Sequence, residues 1–292
     1  MEFRYNKQAD LMYHIFAHMK VANASDLYSE AYIEAMKQIR KEELSLPKVM
    51  ETYYHHHFQR LAMIQFLPFY CQTLSQLIQI IHEFQGIDNA DKEEFIKPWI
   101  ALLKQEATWY FPYWEQNYQT TARKRAAVEQ QIANKFVLYQ RFFTYHQRKP
   151  VAYFSFVLAN QGRGIIGSKQ VMIAVSAFPQ SPQNINSAFF ALLHEYTHQA
   201  TDILVAANIK MTDQSHQLSE HAAILFDYEL IKRANVSDVE PYLQWVAAVN
   251  GICKPLTVQA FLEMFTIPVA LSEKLQALIN AILCAQENIR LE

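Results

Sequence analysis

The stretch SAFFALLHEYTHQATDILVAAN, residues 187–208, decides how this chain is read. It contains no glycine or proline, and its apolar run from Ala188 to Leu193 leads directly into His194, Glu195 and His198. Successive helical residues rotate by about 100°, so His194 and His198 lie about 40° apart and roughly 6 Å along the axis. Two imidazoles on one face can bind a single metal ion. Glu195 sits one step round from His194, close enough to reach a water on that metal without being a third ligand from the same turn. That is the position of a general base. With 11 histidines in 292 residues, about 0.03 HExxH matches are expected by chance. Asn186 or Ser187 would cap the helix, and the apolar run would bury it in a core. The alternative is a core helix whose histidines make ordinary hydrogen bonds.

The segment HEYTHQATD, residues 194–202, resembles the active helix of thermolysin-like metallopeptidases, which reads HExTHxxTD; Thr197, Thr201 and Asp202 match as well. In the wider class, the gluzincins, the third zinc ligand is a glutamate on a later helix, about 19 to 25 residues after the second histidine. Here SEHAAILFDYELIKR, residues 219–233, supplies Glu220 at 198 + 22. The thermolysin group has Asn before this glutamate and Asp four residues after it, whereas this chain has Ser219 and Ile224. The resemblance covers these two helices and extends to the class, not the close family. It implies a zinc-dependent peptidase with one Zn²⁺ per chain on His194, His198 and Glu220, and a peptide or protein as substrate.

The third ligand can also be argued from geometry. A catalytic metal takes three protein ligands and keeps an open position. Asp202 lies one more turn along the first helix, about 6 Å beyond His198, and reads as a carboxylate that supports a ligand or packs between helices. Glu229, nine positions after Glu220, falls on the opposite helix face. Asp227, seven positions after Glu220, returns to the same face, where it can accept a hydrogen bond from His194 or His198 or remain a solvated carboxylate. The developing oxyanion needs a donor, for which the candidates are His216, His221, Tyr228 and Tyr242. An inactive or zinc-stabilised descendant that binds a peptide or protein without cleaving it is the alternative function. A purely structural site has no need of Glu195 beside the water. A helical scaffold carrying an accidental motif is the remaining rival.

The rest of the chain frames this motif. A hydrophobic content of 51% with 13% aromatics indicates a substantial core. The net charge of −2 provides no field for nucleic acid or an anionic membrane; the basic run Arg123, Lys124, Arg125 reads as a solvated helix face. Cys71, Cys253 and Cys284 form no CxxC pair and no disulfide framework. The N-terminus has no secretory signal, and no uninterrupted apolar run reaches membrane-spanning length. A cytoplasmic location is therefore expected.

The expected fold is α+β and mostly α: an N-terminal helical layer over residues 1–149 packed on a zincin-like catalytic half, residues 150–292, in one compact unit. Helices are predicted over 10–22, 26–43 with a cap at Ser25, 53–85 and 92–118 with interruptions at Pro68, Pro98 and Pro112, and 121–144. Val151–Leu158 and Val171–Phe178 read as strands around the glycine-rich connection ANQGRGIIGSKQ, a small sheet just before the HEYTH helix. Its edge would offer backbone groups to an extended peptide. Helical segments follow over 238–249, 257–265 and 271–289. His14 and His18, and the run His55, His56, His57, stay outside the metal site, because neither has the glutamate and three consecutive helical residues cannot face one ion.

Overall fold

The computed structural model describes residues 1–19, 28–40, 47–159, 162–209 and 215–284. Ser25 and residues 285–289 lie outside them. The described chain is mostly helical, with one small mixed sheet of four strands in the order β1-β2-β4-β3. These are β1 (Glu2–Tyr5), β2 (Lys149–Ser155), β3 (Arg163–Ile165) and β4 (Val171–Ala177). The glycine-rich connection expected as a loop thus contains a strand of its own. β3 pairs antiparallel with β4, with Gly164 opposite Ala174, and forms a free edge of the sheet. β1 was not expected: four residues with two charges carry little periodic signal, and they become a strand by pairing with distant β2.

Two compact units make up the chain. One comprises Tyr5–Ala126 and Phe154–Ala159. Its helices are α1 (Lys7–His18), α2 (Glu30–Arg40), α3 (Lys48–His56), the short α4 (Phe58–Leu61), α5 (Leu74–Glu83), the single turn α6 (Asn89–Asp91) and the long α7 (Lys97–Thr120). Asn6 caps α1 through the amides of Gln8 and Ala9, and a capping box of Thr73 and Gln76 starts α5. Pro68 lies inside a 3₁₀ stretch, Ala62–Tyr70, and α7 runs straight through Pro112, so neither proline breaks its element. An internal proline costs roughly 3 kcal/mol, which the buried face of Trp99, Leu103, Tyr110 and Trp114 offsets. Buried Asp10 ties this unit together, accepting from Ser155 Oγ at 2.5 Å and Trp114 Nε1 at 2.7 Å.

The other unit comprises Met1–Arg4, Ala127–Tyr153 and residues from Asn160 onward. It holds most of α8 (Ala122–Val137), α9 (Gln140–Tyr145), α10 (Asn184–Asn208), α11 (Ser215–Ala234), α12 (Val239–Val249), α13 (Val258–Met264) and α14 (Val269–Cys284). No single cut at 149/150 separates the units. Residues 127–149 belong with the HEYTH helix because their aromatic side chains pack on it: Phe136 lies 4.8 Å from Phe189 and Phe143 5.3 Å from Tyr196, ring centre to ring centre. Gln199 Nε2 donates to the Ile173 carbonyl at 3.0 Å, fastening α10 to β4. Among the described residues no helix is long and apolar enough to cross a membrane.

Candidate metal centre

α10 begins at Asn184, so Asn186 and Ser187 lie inside it and cap nothing. Ser181 Oγ instead bonds Asn184 Oδ1 at 2.6 Å at its start. The run Ala188 to Leu193 is buried throughout, so this part of the helix is enclosed on all sides, and beyond it His194 and His198 face α11. From α11, Glu220 meets them. His194 Nε2 stands 3.1 Å from His198 Nε2 and 3.3 Å from Glu220 Oε2, and His198 Nε2 stands 3.4 Å from Glu220 Oε1. Among the described residues these three form the one group of potential metal ligands whose donor atoms converge.

Both imidazoles are oriented from behind. His194 Nδ1 donates to Asp227 Oδ2 at 3.0 Å, and Thr197 Oγ1 donates to the other oxygen at 2.6 Å. His198 Nδ1 donates to Asp202 Oδ1 at 3.0 Å, and Ser219 Oγ bonds the same oxygen. A carboxylate only accepts, so each Nδ1 carries its hydrogen and each Nε2 is the nitrogen turned to the site. Asp227 is fully buried and Asp202 half exposed.

The electrostatics favour positive charge between these side chains. Burial opposes protonation of His194, but hydrogen bonds to Asp227 and Glu220 outweigh it and hold its pKa up at about 9. His198, likewise desolvated, is held up at about 10 by Asp202 and Glu220. Glu220 is correspondingly driven down, its burial overcome by the two histidines. Two protonated Nε2 atoms facing each other across 3.1 Å would aim their hydrogens at one another. One divalent cation would replace both protons without that conflict.

Donors about 2.0–2.1 Å from a tetrahedral ion lie roughly 3.3 Å apart. The separations of 3.1, 3.3 and 3.4 Å are close to that length, with His194 meeting one oxygen of Glu220 (Oε2) and His198 the other (Oε1). Two imidazoles and one carboxylate suit Zn²⁺. His194, His198 and Glu220 thus fit the ion and leave one side open.

That side is a cleft of about 850 Å³. Glu195 lines it against Gly162 and Gly164, and its pKa is raised by desolvation, against the pull of His194, His198 and Arg163. Ile224, Trp245, Val249 and Phe265 form an apolar part of the wall. Of the four expected oxyanion donors, His216 and His221 line the cleft and Tyr228 and Tyr242 do not. His216 is well exposed, with Nε2 3.8 Å from Glu220 Oε1; His221 Nδ1 donates to the Thr266 carbonyl at 3.0 Å, so its Nε2 can donate only when the ring is protonated. Tyr242 is excluded because its buried hydroxyl donates to the Ile224 carbonyl at 3.0 Å, and Tyr228 is buried against Phe261.

Arg163, Gly162, Gly164 and Trp245 join the site without having been marked by the sequence reading. The clustering of glycines in a short segment before the HEYTH helix is the one signal available for two of them. No protein-family model, curated protein or solved structure matches this chain.

Proposed function

We propose that this protein is a zinc-dependent peptidase in which Glu195 is the general base. The observation that carries the reading is the convergence of His194 Nε2, His198 Nε2 and the Glu220 carboxylate within 3.4 Å of one another, with each Nδ1 held by a carboxylate. A divalent ion in such a site supplies Lewis acidity to an acyl oxygen and makes water a nucleophile near neutral pH.

The chain's own groups do the rest. Glu195, desolvated and facing the cleft, accepts the proton of the attacking water and delivers it to the departing amine. Asp227 and Asp202 keep both rings in the tautomer that frees Nε2. The edge strand β3 presents backbone groups along the cleft, suited to an extended peptide. His221 and His216 are the candidate donors to the developing oxyanion.

The test is in two stages. Elemental analysis after zinc dialysis should give about one Zn²⁺ per chain, and a peptide-library screen should then find a substrate cleaved by the wild type and spared by Glu195→Gln. Metal-free protein would end the reading at the first stage. Zinc-loaded protein that cleaves nothing across the library would favour the binding-protein alternative.

A further inference from the structure

Gly164 in edge strand β3 and Gly162, the residue immediately before that strand, stand two residues apart and both lie against α10. A Cβ added at Gly162 would sit 2.6 Å from Glu195 Cγ, 2.8 Å from Glu195 Oε1 and 3.1 Å from the Ala191 carbonyl oxygen. One added at Gly164 would sit 3.1 Å from Glu195 Oε2 and 3.7 Å from the Glu195 carbonyl oxygen. Non-bonded carbon atoms prefer about 3.5–4.0 Å, so the first contact requires movement and the second a smaller adjustment. Between them the two positions touch both carboxylate oxygens of one side chain. Neither glycine has a positive φ, so conformational freedom does not explain the residue type. What requires glycine here is the close approach of a backbone to a carboxylate.

The partners on either side of this contact are fixed. β3 is registered on β4 through the pairs Arg163–Val175, Gly164–Ala174 and Ile165–Ile173, and β4 is tied to α10 through Gln199. The strand edge therefore cannot retreat from Glu195 without breaking the ladder. The carboxylate occupies a slot whose outer wall is bare main chain.

The geometry points to Gly162 and Gly164 as positioning residues for the general base: the side-chain-free edge of β3 holds the Glu195 carboxylate in the orientation that serves the metal site. This rests on the reading of Glu195 as the base. It explains why two glycines of a chain with only five are placed against one glutamate. It also separates two jobs within the site. α10 and α11 hold the ligands, while β3 aims the base, so the aim can be spoiled with the ligands intact.

The test uses Gly162→Ala and Gly164→Ala in the full chain. Crystal structures should show the Glu195 carboxylate displaced, more in Gly162→Ala than in Gly164→Ala, with His194, His198 and Glu220 unmoved. Competition with a chromophoric chelator should give wild-type zinc affinity for both. On a peptide that the wild type cleaves, Gly162→Ala should lower kcat by about 10² or more, the range that a positioned base supplies, with KM little changed. In the Glu195→Gln background the same substitution should cost nothing further, a non-additivity that a general loss of packing would not produce. A Glu195 carboxylate found in its original place in both variants overturns the proposal, as does a full-sized kcat loss that persists without Glu195. If Gly162→Ala does not fold, the milder Gly164→Ala decides by the same measurements. If the wild type cleaves no peptide, the peptidase reading fails by itself and the displacement of Glu195 in the crystal still decides the positioning role.

Discussion

Replacing Asp227 by Asn should weaken zinc binding although Asp227 touches no metal. The carboxylate is fully buried and accepts from His194 Nδ1 at 3.0 Å and Thr197 Oγ1 at 2.6 Å. Asn keeps the volume, but only its oxygen accepts, so one of the two donors must face an NH₂ group. Leaving a buried donor unpaired costs about 1–3 kcal/mol. If the loss falls on His194, its ring is no longer held with Nε2 toward the site, and affinity should drop about 10- to 100-fold, the range for partners of ligating histidines. That is about 1.4–2.8 kcal/mol, within the range from the hydrogen bond alone. Asp202→Asn provides the comparison. Its side chain is 54% exposed, so water can replace the lost acceptor and the drop should stay under about tenfold. Chelator competition gives both dissociation constants, and thermal denaturation with and without zinc checks that each variant folds. Asp227→Asn binding zinc as tightly as wild type, or Asp202→Asn losing more than Asp227→Asn in folded protein, would refute the reasoning.

His194→Ala, His198→Ala and Glu220→Ala should each remove stoichiometric zinc; retention of the metal by Glu220→Ala and its loss in Asp202→Ala would reverse the ligand assignment. Glu195→Gln should keep zinc and lose at least about 10² in turnover; equal turnover with zinc bound would move the hydrolysis elsewhere. A separate prediction concerns Asp10, whose pKa is raised by burial, against hydrogen bonds from Ser155 and Trp114, from 3.8 to about 6. A raised folded pKa favours folding below the unfolded value and loses that advantage as pH rises through the folded one. Asp10 should therefore cost the wild type stability between about pH 4 and 7, by about 3 kcal/mol. The stability difference between wild type and Asp10→Asn, followed by denaturant unfolding across that range, should move by this amount in favour of the variant; a pH-independent difference would count against a buried ionisable Asp10.

Local periodicity made part of the site legible. His194, Glu195 and His198 are related by one helix, and Glu220 and Asp227 by another, so spacing alone placed each set on a face. How far those faces lie from each other is a matter of packing. The same spacing left Asp227 balanced between a support and a solvated carboxylate, and only its burial beside Thr197 distinguishes them. Tyr242 was a reasonable oxyanion candidate by position, yet its hydroxyl turns inward to the Ile224 carbonyl. Arg163 and the two glycines reach the cleft through sheet pairing, which carries no helical period. β1 was missed for a related reason: a four-residue strand is defined by its partner. Pro112 inside α7 shows the converse, a strong local breaker overridden by a row of buried aromatic residues.

The arrangement on α11 has a mechanical consequence. Glu220 and the carboxylate that steadies His194 lie seven residues apart on the same helix. Moving that helix by one residue, about 1.5 Å along and 100° around, takes both away together. One of the three proposed ligands and the brace for a second are thus tied to a single degree of freedom, the register of two adjacent helices. A site wired in this way has few intermediate states: either the two helices are seated and all donors converge, or they have slipped and none of the partial sets remaining can grip an ion well. Metal occupancy would then report, almost as a switch, on whether this pair of helices is correctly assembled.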